Sequence, residues 1–156
     1  MDSLKKISPA LYGIIIICFF MPFTTASCSG QKFLTLTGFQ MVTGTAVRQP
    51  NMFGQERKPE KIRPEGYAVA AFLLAVAGLA ISLSRNKKAN FYSAVVSAGG
   101  VVSLLLLKTK LDQDVINSGQ GLIQLEYNFG YWISFFAFIL SIVLNGYIYQ
   151  QSERKT

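Results

Sequence analysis

The side chains of this 156-residue chain that could do acid–base or ligand chemistry are few, and most stand outside its apolar stretches. Glu56, Glu60, Glu65, Asp112, Asp114 and Glu126 all fall in connecting segments. Asp112 and Asp114, two positions apart, come nearest to a cation-binding pair. A calcium loop would need further oxygen ligands at set spacings, and none follows. They read as solvated loop charges, with pairing to the basic stretch Arg57–Arg63 as the alternative. Histidine is absent, which removes the commonest metal ligand and the most frequent general base. Neither a phosphate-cradling glycine loop nor a nucleophile elbow occurs. The sequence therefore points to no cofactor, no metal and no enzyme.

The two cysteines, Cys18 and Cys28, lie within and just past the first apolar run. On one continuous helix they would be about 15 Å apart, too far for a disulfide. Cys18 reads as a small apolar side chain. Cys28 reads as a free thiol, a lipidation site or a link to another chain.

Polar side chains inside the apolar runs are uncharged and ordered. Ala71, Ala75, Gly78 and Ser82 recur at helical spacing, as do Ser93, Ser97 and Gly100, and again Gly130, Ser134, Ala137, Ser141 and Asn145. Small residues on one helix face let backbones approach closely, so these stripes are candidate helix-packing faces. The sharper alternative is a hydroxyl-lined pore or pocket. Asn145, the most polar of the set, either bonds another helix or reaches headgroup water.

The elements that must carry these residues are four apolar runs, Ile7–Ala26, Tyr67–Leu83, Phe91–Leu107 and Phe129–Tyr149, none containing a charged residue. Each comes close to the length that crosses a hydrocarbon layer of roughly 30 Å. The expected fold is an all-α membrane protein, a four-transmembrane-helix bundle in one domain, with a small extended or β-like external loop. The connections are an external loop over 27–66, a basic cytoplasmic turn over 84–90 and a second external loop over 108–128. Asn90 is a candidate cap for the third span. Phe129, Tyr131, Trp132, Tyr147 and Tyr149 suit the two interfaces of the last span.

The net charge of +7 sits outside the spans, where cations meet headgroups at about 1 kcal/mol each near an anionic surface. Arg57, Lys58, Lys61, Arg63, Arg85, Lys87 and Lys88 are the candidate headgroup or partner contacts, and nucleic acid is not an expected partner. Lys5 and Lys6, the turn Arg85–Lys88, and Arg154 with Lys155 share one side of a four-span chain. The positive-inside rule then places both termini in the cytoplasm. Arg57–Arg63 falls on the opposite side, which counts against this orientation.

Two stretches carry alternatives. The first run has the form of a secretory signal, and Thr25-Ala26-Ser27-Cys28 is similar to a lipoprotein box with Thr25 in place of the preferred Leu. A retained helix is the preferred reading, with a cleaved, lipidated start as the alternative. Phe33–Val47, rich in Thr, Val and Phe, reads as a hairpin on the membrane surface with Gly38 and Gly44 as turns, or as a re-entrant loop. Asn117–Gly121 reads as a turn.

The stretch Pro22–Lys32, followed by Leu36-Thr37-Gly38-Phe39-Gln40 and Thr43-Gly44, resembles a segment after the first helix of small bacterial four-helix membrane proteins. That resemblance implies four spans and a retained first helix, and it implies no activity. The uncharged spans, the aromatic anchors and the long external loop are read as those of a non-enzymatic accessory or scaffold subunit of a bacterial plasma-membrane complex, packing through its helix faces and making specific contacts through the external segment Phe33–Arg63. Its expected partners are the lipid bilayer and other membrane proteins or further copies of itself. The alternatives are a homo-oligomeric channel and a three-span lipoprotein anchored at Cys28.

Overall fold

A computed structural model describes residues 2–28, 31–47, 60–84, 89–119 and 123–153. Helix α1 (Asp2–Cys18) ends well before the first apolar run does. The chain tightens over Phe19–Met21, where the backbone N–H groups of Phe20 and Met21 reach carbonyls three residues back. Pro22 then stops the helix, because it has no N–H and disfavours helical backbone at the residue before it. The expected single helix over Ile7–Ala26 is therefore two elements, since β1 (Pro22–Cys28) begins at that proline.

Strand β1 pairs antiparallel with β2 (Gln31–Thr37). The segment expected to be extended over Phe33–Val47 is interrupted by a helical turn, α2 (Gly38–Thr43). A capping box explains it: Thr37 Oγ1 accepts from the Gln40 N–H at 3.2 Å, and Gln40 Oε1 accepts from the Thr37 N–H at 3.0 Å. Gly44, at φ 75°, closes the turn in a backbone conformation that costs glycine little. Gly38 thus opens a helix instead of making a turn. Short strands β3 (Thr45–Val47) and β4 (Glu60–Ile62) then pair antiparallel.

Helix α3 (Gly66–Leu83) matches the second apolar run closely. Helix α4 (Ala89–Gly119) starts before Asn90, which therefore lies inside the helix and does not cap it. It also continues far beyond Leu107, replacing most of the expected second external loop and the first part of the expected turn at Asn117–Gly121. Its 31 residues amount to about 46 Å of helix, more than a bilayer's hydrocarbon thickness. Strand β5 (Ile123–Tyr127) follows and runs directly into α5 (Phe129–Glu153).

The protein is mostly helical, and α3, α4 and α5 are long and apolar enough to cross a membrane. The apolar part of α1, Ile7–Cys18, is shorter. Each of these four helices packs on two others, in the cyclic order α1, α3, α4, α5. Tyr12, Ile15, Phe19, Phe23, Leu104, Leu107, Tyr131 and Phe138 fill the centre, with Ala68, Ala71 and Ala75 against them. At one end a three-stranded sheet in the order β2-β1-β5 caps the bundle. Its middle strand links the end of α1 to the strand that leads into α5.

Candidate functional site

The polar side chains of the bundle meet in a layer across its half away from the sheet. Helices α1, α3, α4 and α5 all contribute. Tyr12, buried on α1, donates its phenol to the Ser93 carbonyl at 2.8 Å. Its oxygen also lies 2.7 Å from Ser93 Oγ and 2.6 Å from Ser97 Oγ. With its single proton used on the carbonyl, the phenol accepts from both serines and fills its hydrogen-bonding capacity.

A second chain of bonds runs beside it. Ser82 Oγ donates to Ser8 Oγ at 2.7 Å, and Ser8 Oγ donates to Asn145 Oδ1 at 2.9 Å. Asn145 Nδ2 donates to the Ser141 carbonyl at 2.8 Å. Asn145 is fully buried, so its amide serves a helix–helix contact and not headgroup water. The Ser141 hydroxyl is the exception, a buried oxygen with no hydrogen-bond partner.

Steric sockets accompany these bonds. A Cβ on Gly78 would overlap the Tyr12 ring, and one on Gly100 would stand 2.5 Å from the Phe138 ring. One on Gly130 would stand 2.8 Å from the Pro22 carbonyl. Ala71 and Ala75 are buried on α3, Ala137 and Ser134 are buried on α5, and Ser134 Oγ donates to the Gly130 carbonyl at 2.8 Å. The candidate packing residues thus turn inward within one chain; Ser82 alone is only partly covered. Sequence spacing did not single out their partners on α1. Ser8 and Tyr12 stand in a run whose apolarity hides which face is polar, although their four-residue separation places them on one face.

A separate group of contacts fastens the sheet end. Tyr127 donates to Asp112 Oδ1 at 2.6 Å, also lies 3.1 Å from the Lys108 carbonyl, and carries Lys108 Nζ 5.4 Å from its ring centre. Burial, the hydrogen bond to Asp112 and the negative charge of Asp112 push the Tyr127 hydroxyl well above the ordinary tyrosine range. Lys110 pairs with Glu65 at 2.8 Å. Asp112 is therefore the acceptor of a tyrosine, while Asp114 is exposed. Lys32 and Glu126 pair loosely across the sheet at 3.7 Å. Asn128 Nδ2 donates to the buried Thr25 Oγ1 at 2.7 Å, which lies 3.2 Å from Thr35 Oγ1.

The remaining candidates are spread out. Cys28 ends β1 opposite Gln31 and Ile123, with its thiol outside the described residues. Cys18 is buried and free. Lys61 contributes backbone to β4, and Arg63 is exposed. Arg57, Lys58, Arg85, Lys87 and Lys88 lie outside the described residues. Among the described residues no group of three His, Cys, Asp or Glu side chains is placed to hold a metal ion. No family model matches the chain, and no curated protein sequence matches it.

Proposed function

We propose that this chain is a non-enzymatic, four-span accessory or scaffold subunit of a bacterial plasma-membrane assembly. The observation that carries the reading is the division of its surfaces. Hydroxyls and the Asn145 amide are used inside the bundle, apolar side chains cover the outside of every long helix, and a polar-faced sheet stands at one end. Such a body is suited to anchoring and to presenting a surface.

Retention of α1 supports four spans. Tyr12, Ile15 and Phe19 are central to the core, Ile7, Ile14 and Ile17 face outward as lipid-facing residues would, and β1 is the middle strand of the sheet. Cleavage before Cys28 would remove all of these at once, which weighs against the lipoprotein reading. Four crossings put Lys5 and Lys6 on the side of Arg85–Lys88 and of Arg154 and Lys155, with both termini in the cytoplasm. Against a homo-oligomeric pore stands the placement of Ser93, Ser97, Ser134, Ser141 and Asn145, all buried within the single chain, with the Ser141 hydroxyl alone of the five lacking a hydrogen-bond partner.

Photocrosslinking in intact cells tests the proposal. A crosslinker at Thr35 or Gln124, on the outer face of the sheet, is expected to capture one discrete membrane protein that the same group at Val143, on the lipid side of α5, does not. No adduct at either sheet position would sink the scaffold reading. Ion flux through liposomes containing only this chain would favour the channel instead. Intact mass of the purified protein decides retention of residues 1–27.

A further inference from the structure

We infer that α2, together with Phe20 and Met21, is a lipid-inserted foot that completes the membrane crossing α1 leaves short. The inference rests on the membrane reading above and adds a specific lipid contact to it. The apolar helical part of α1, Ile7–Cys18, gives only about 18 Å of helix, against about 27 Å for α3 and a hydrocarbon layer of roughly 30 Å. A short helix beside three longer ones leaves its sheet-side end to be filled by lipid or by another part of the chain.

Helix α2 is held at that end. The Phe39 N–H donates to the Phe19 carbonyl at 2.7 Å, so α2 takes over one of the acceptors that α1 leaves open where it stops. Its ring stacks on Phe20 at 5.0 Å and meets Phe72 edge-on at 6.2 Å. Gly38 sits so close to the rings of Phe19 and Phe23 that a Cβ there would be 2.9 Å from both. Met41 is buried, and its carbonyl accepts from the Glu65 N–H at 2.8 Å.

The level of this contact is fixed by its neighbours. Phe72 lies seven residues into the bundle from Glu65, about 10 Å along α3 from the water-accessible Glu65–Lys110 pair. On the other side, the packing of Gly130 against the Cys18 and Pro22 carbonyls sets the Phe19–Met21 turn beside the first turn of α5. There Phe129 and Trp132 are exposed, as aromatic residues at a headgroup boundary are. At this depth Phe20 is 59%, Met21 45% and Phe39 37% exposed. Three large apolar side chains left open on one side, continuous with the outward face of Ile14 and Ile17, fit acyl chains. Of the backbone groups of α2, the Gln40 N–H is taken by the capping box, the Phe39 N–H by the Phe19 carbonyl and the Met41 carbonyl by the Glu65 N–H, which lowers the cost of placing this short helix at such a depth.

Fluorescence quenching in bilayers tests the inference. In a Trp132→Phe background, tryptophan is placed singly at Phe39, at Met21, and at Leu73, an exposed position on α3. Each protein is reconstituted in phosphatidylcholine vesicles brominated either near the headgroup end or near the middle of the acyl chains. Emission from Phe39→Trp and Met21→Trp is expected to be lost mostly to the shallow bromines and to be nearly unaffected by iodide in the water. Loss to iodide, or shielding from both quenchers, would overturn the foot. Met21→Trp reads the same patch if Phe39→Trp does not fold. If Leu73→Trp also escapes both brominated lipids, the membrane reading itself fails, an outcome separate from failure of the foot alone.

Discussion

Replacing Gly78 by alanine should destabilise this protein, although the same change elsewhere in the bundle should stabilise it. The new Cβ would overlap Cε1 of the Tyr12 ring and lie 2.7 and 2.8 Å from Cζ and Cδ1. The ring cannot swing aside freely, because its hydroxyl is held by Ser93 and Ser97 and the residue is fully buried. Overpacking of that kind costs about 1–3 kcal/mol. Alanine in place of glycine in a helix returns up to about 1 kcal/mol. The net expectation is a loss of about 1–2 kcal/mol. At about 2–4 °C per kcal/mol for a chain of this size, the midpoint should fall by roughly 2–8 °C. Gly146, on α5, has nothing within 4 Å of an added Cβ, so Gly146→Ala should hold or raise the midpoint. Thermal unfolding in mild detergent, followed by near-ultraviolet circular dichroism, compares the two variants in one experiment. Shortening the ring's side of the contact, as in Tyr12→Leu, should make Gly78→Ala milder, a coupling that a double-mutant cycle reads directly. A Gly78→Ala protein as stable as Gly146→Ala, or single variants whose effects simply add, would refute the socket.

Further tests address the other contacts. Asn145→Leu removes the acceptor of Ser8 and the donor to the Ser141 carbonyl, and should cost roughly 0.6–2 kcal/mol, in the range measured for interhelical hydrogen bonds; a midpoint equal to the parent's would mean the layer contributes nothing to stability. Tyr127 has a folded-state pKa above its unfolded one, so its contribution is fully present below about pH 10 and is lost only as pH rises further. The tyrosinate absorbance difference between the parent and Tyr127→Phe should accordingly stay near zero at pH 10 and appear on alkaline unfolding, and a difference that titrates at the ordinary tyrosine value would contradict the burial and the Asp112 bond.

Much of the helical layer is legible in the residues, and the reasons for the rest are specific. The ends of α3 and the start of α5 follow from uninterrupted apolar runs with Gly66 and Phe129 at their boundaries. The α1–β1 junction is hidden because Phe23 and Ala26 are as apolar as the helix before them; Pro22 is the only residue that marks the change. The first turn of the overrun of helix α4 beyond its apolar stretch is tied down by Tyr127 on Asp112 and Glu65 on Lys110, contacts that hydropathy does not register. The signal for α2 is present in full as Thr37-x-x-Gln40, but the β-rich residues around it outweigh four positions of capping chemistry. In the polar layer, the stripes on α3, α4 and α5 can be read from spacing. What each hydroxyl bonds cannot, since Tyr12 and Ser97 are brought together only by the order of helices around the bundle.

The pairing of β1 with both β2 and β5 has a consequence for how the protein is built. The β1–β2 hairpin is local and can close while the chain is still being made. The other edge of β1 must wait through the synthesis and insertion of α3 and α4 before Ile123–Tyr127 arrives. Long-range strand pairing of this kind is slow, and an open edge kept waiting is prone to pair with the wrong chain. Because β5 leads straight into α5, the same event that closes the sheet also delivers the last helix to its place beside α1. Completion of the sheet and completion of the helical bundle are thus a single final step of assembly, in which the first and last helices are joined through strands that neither contains.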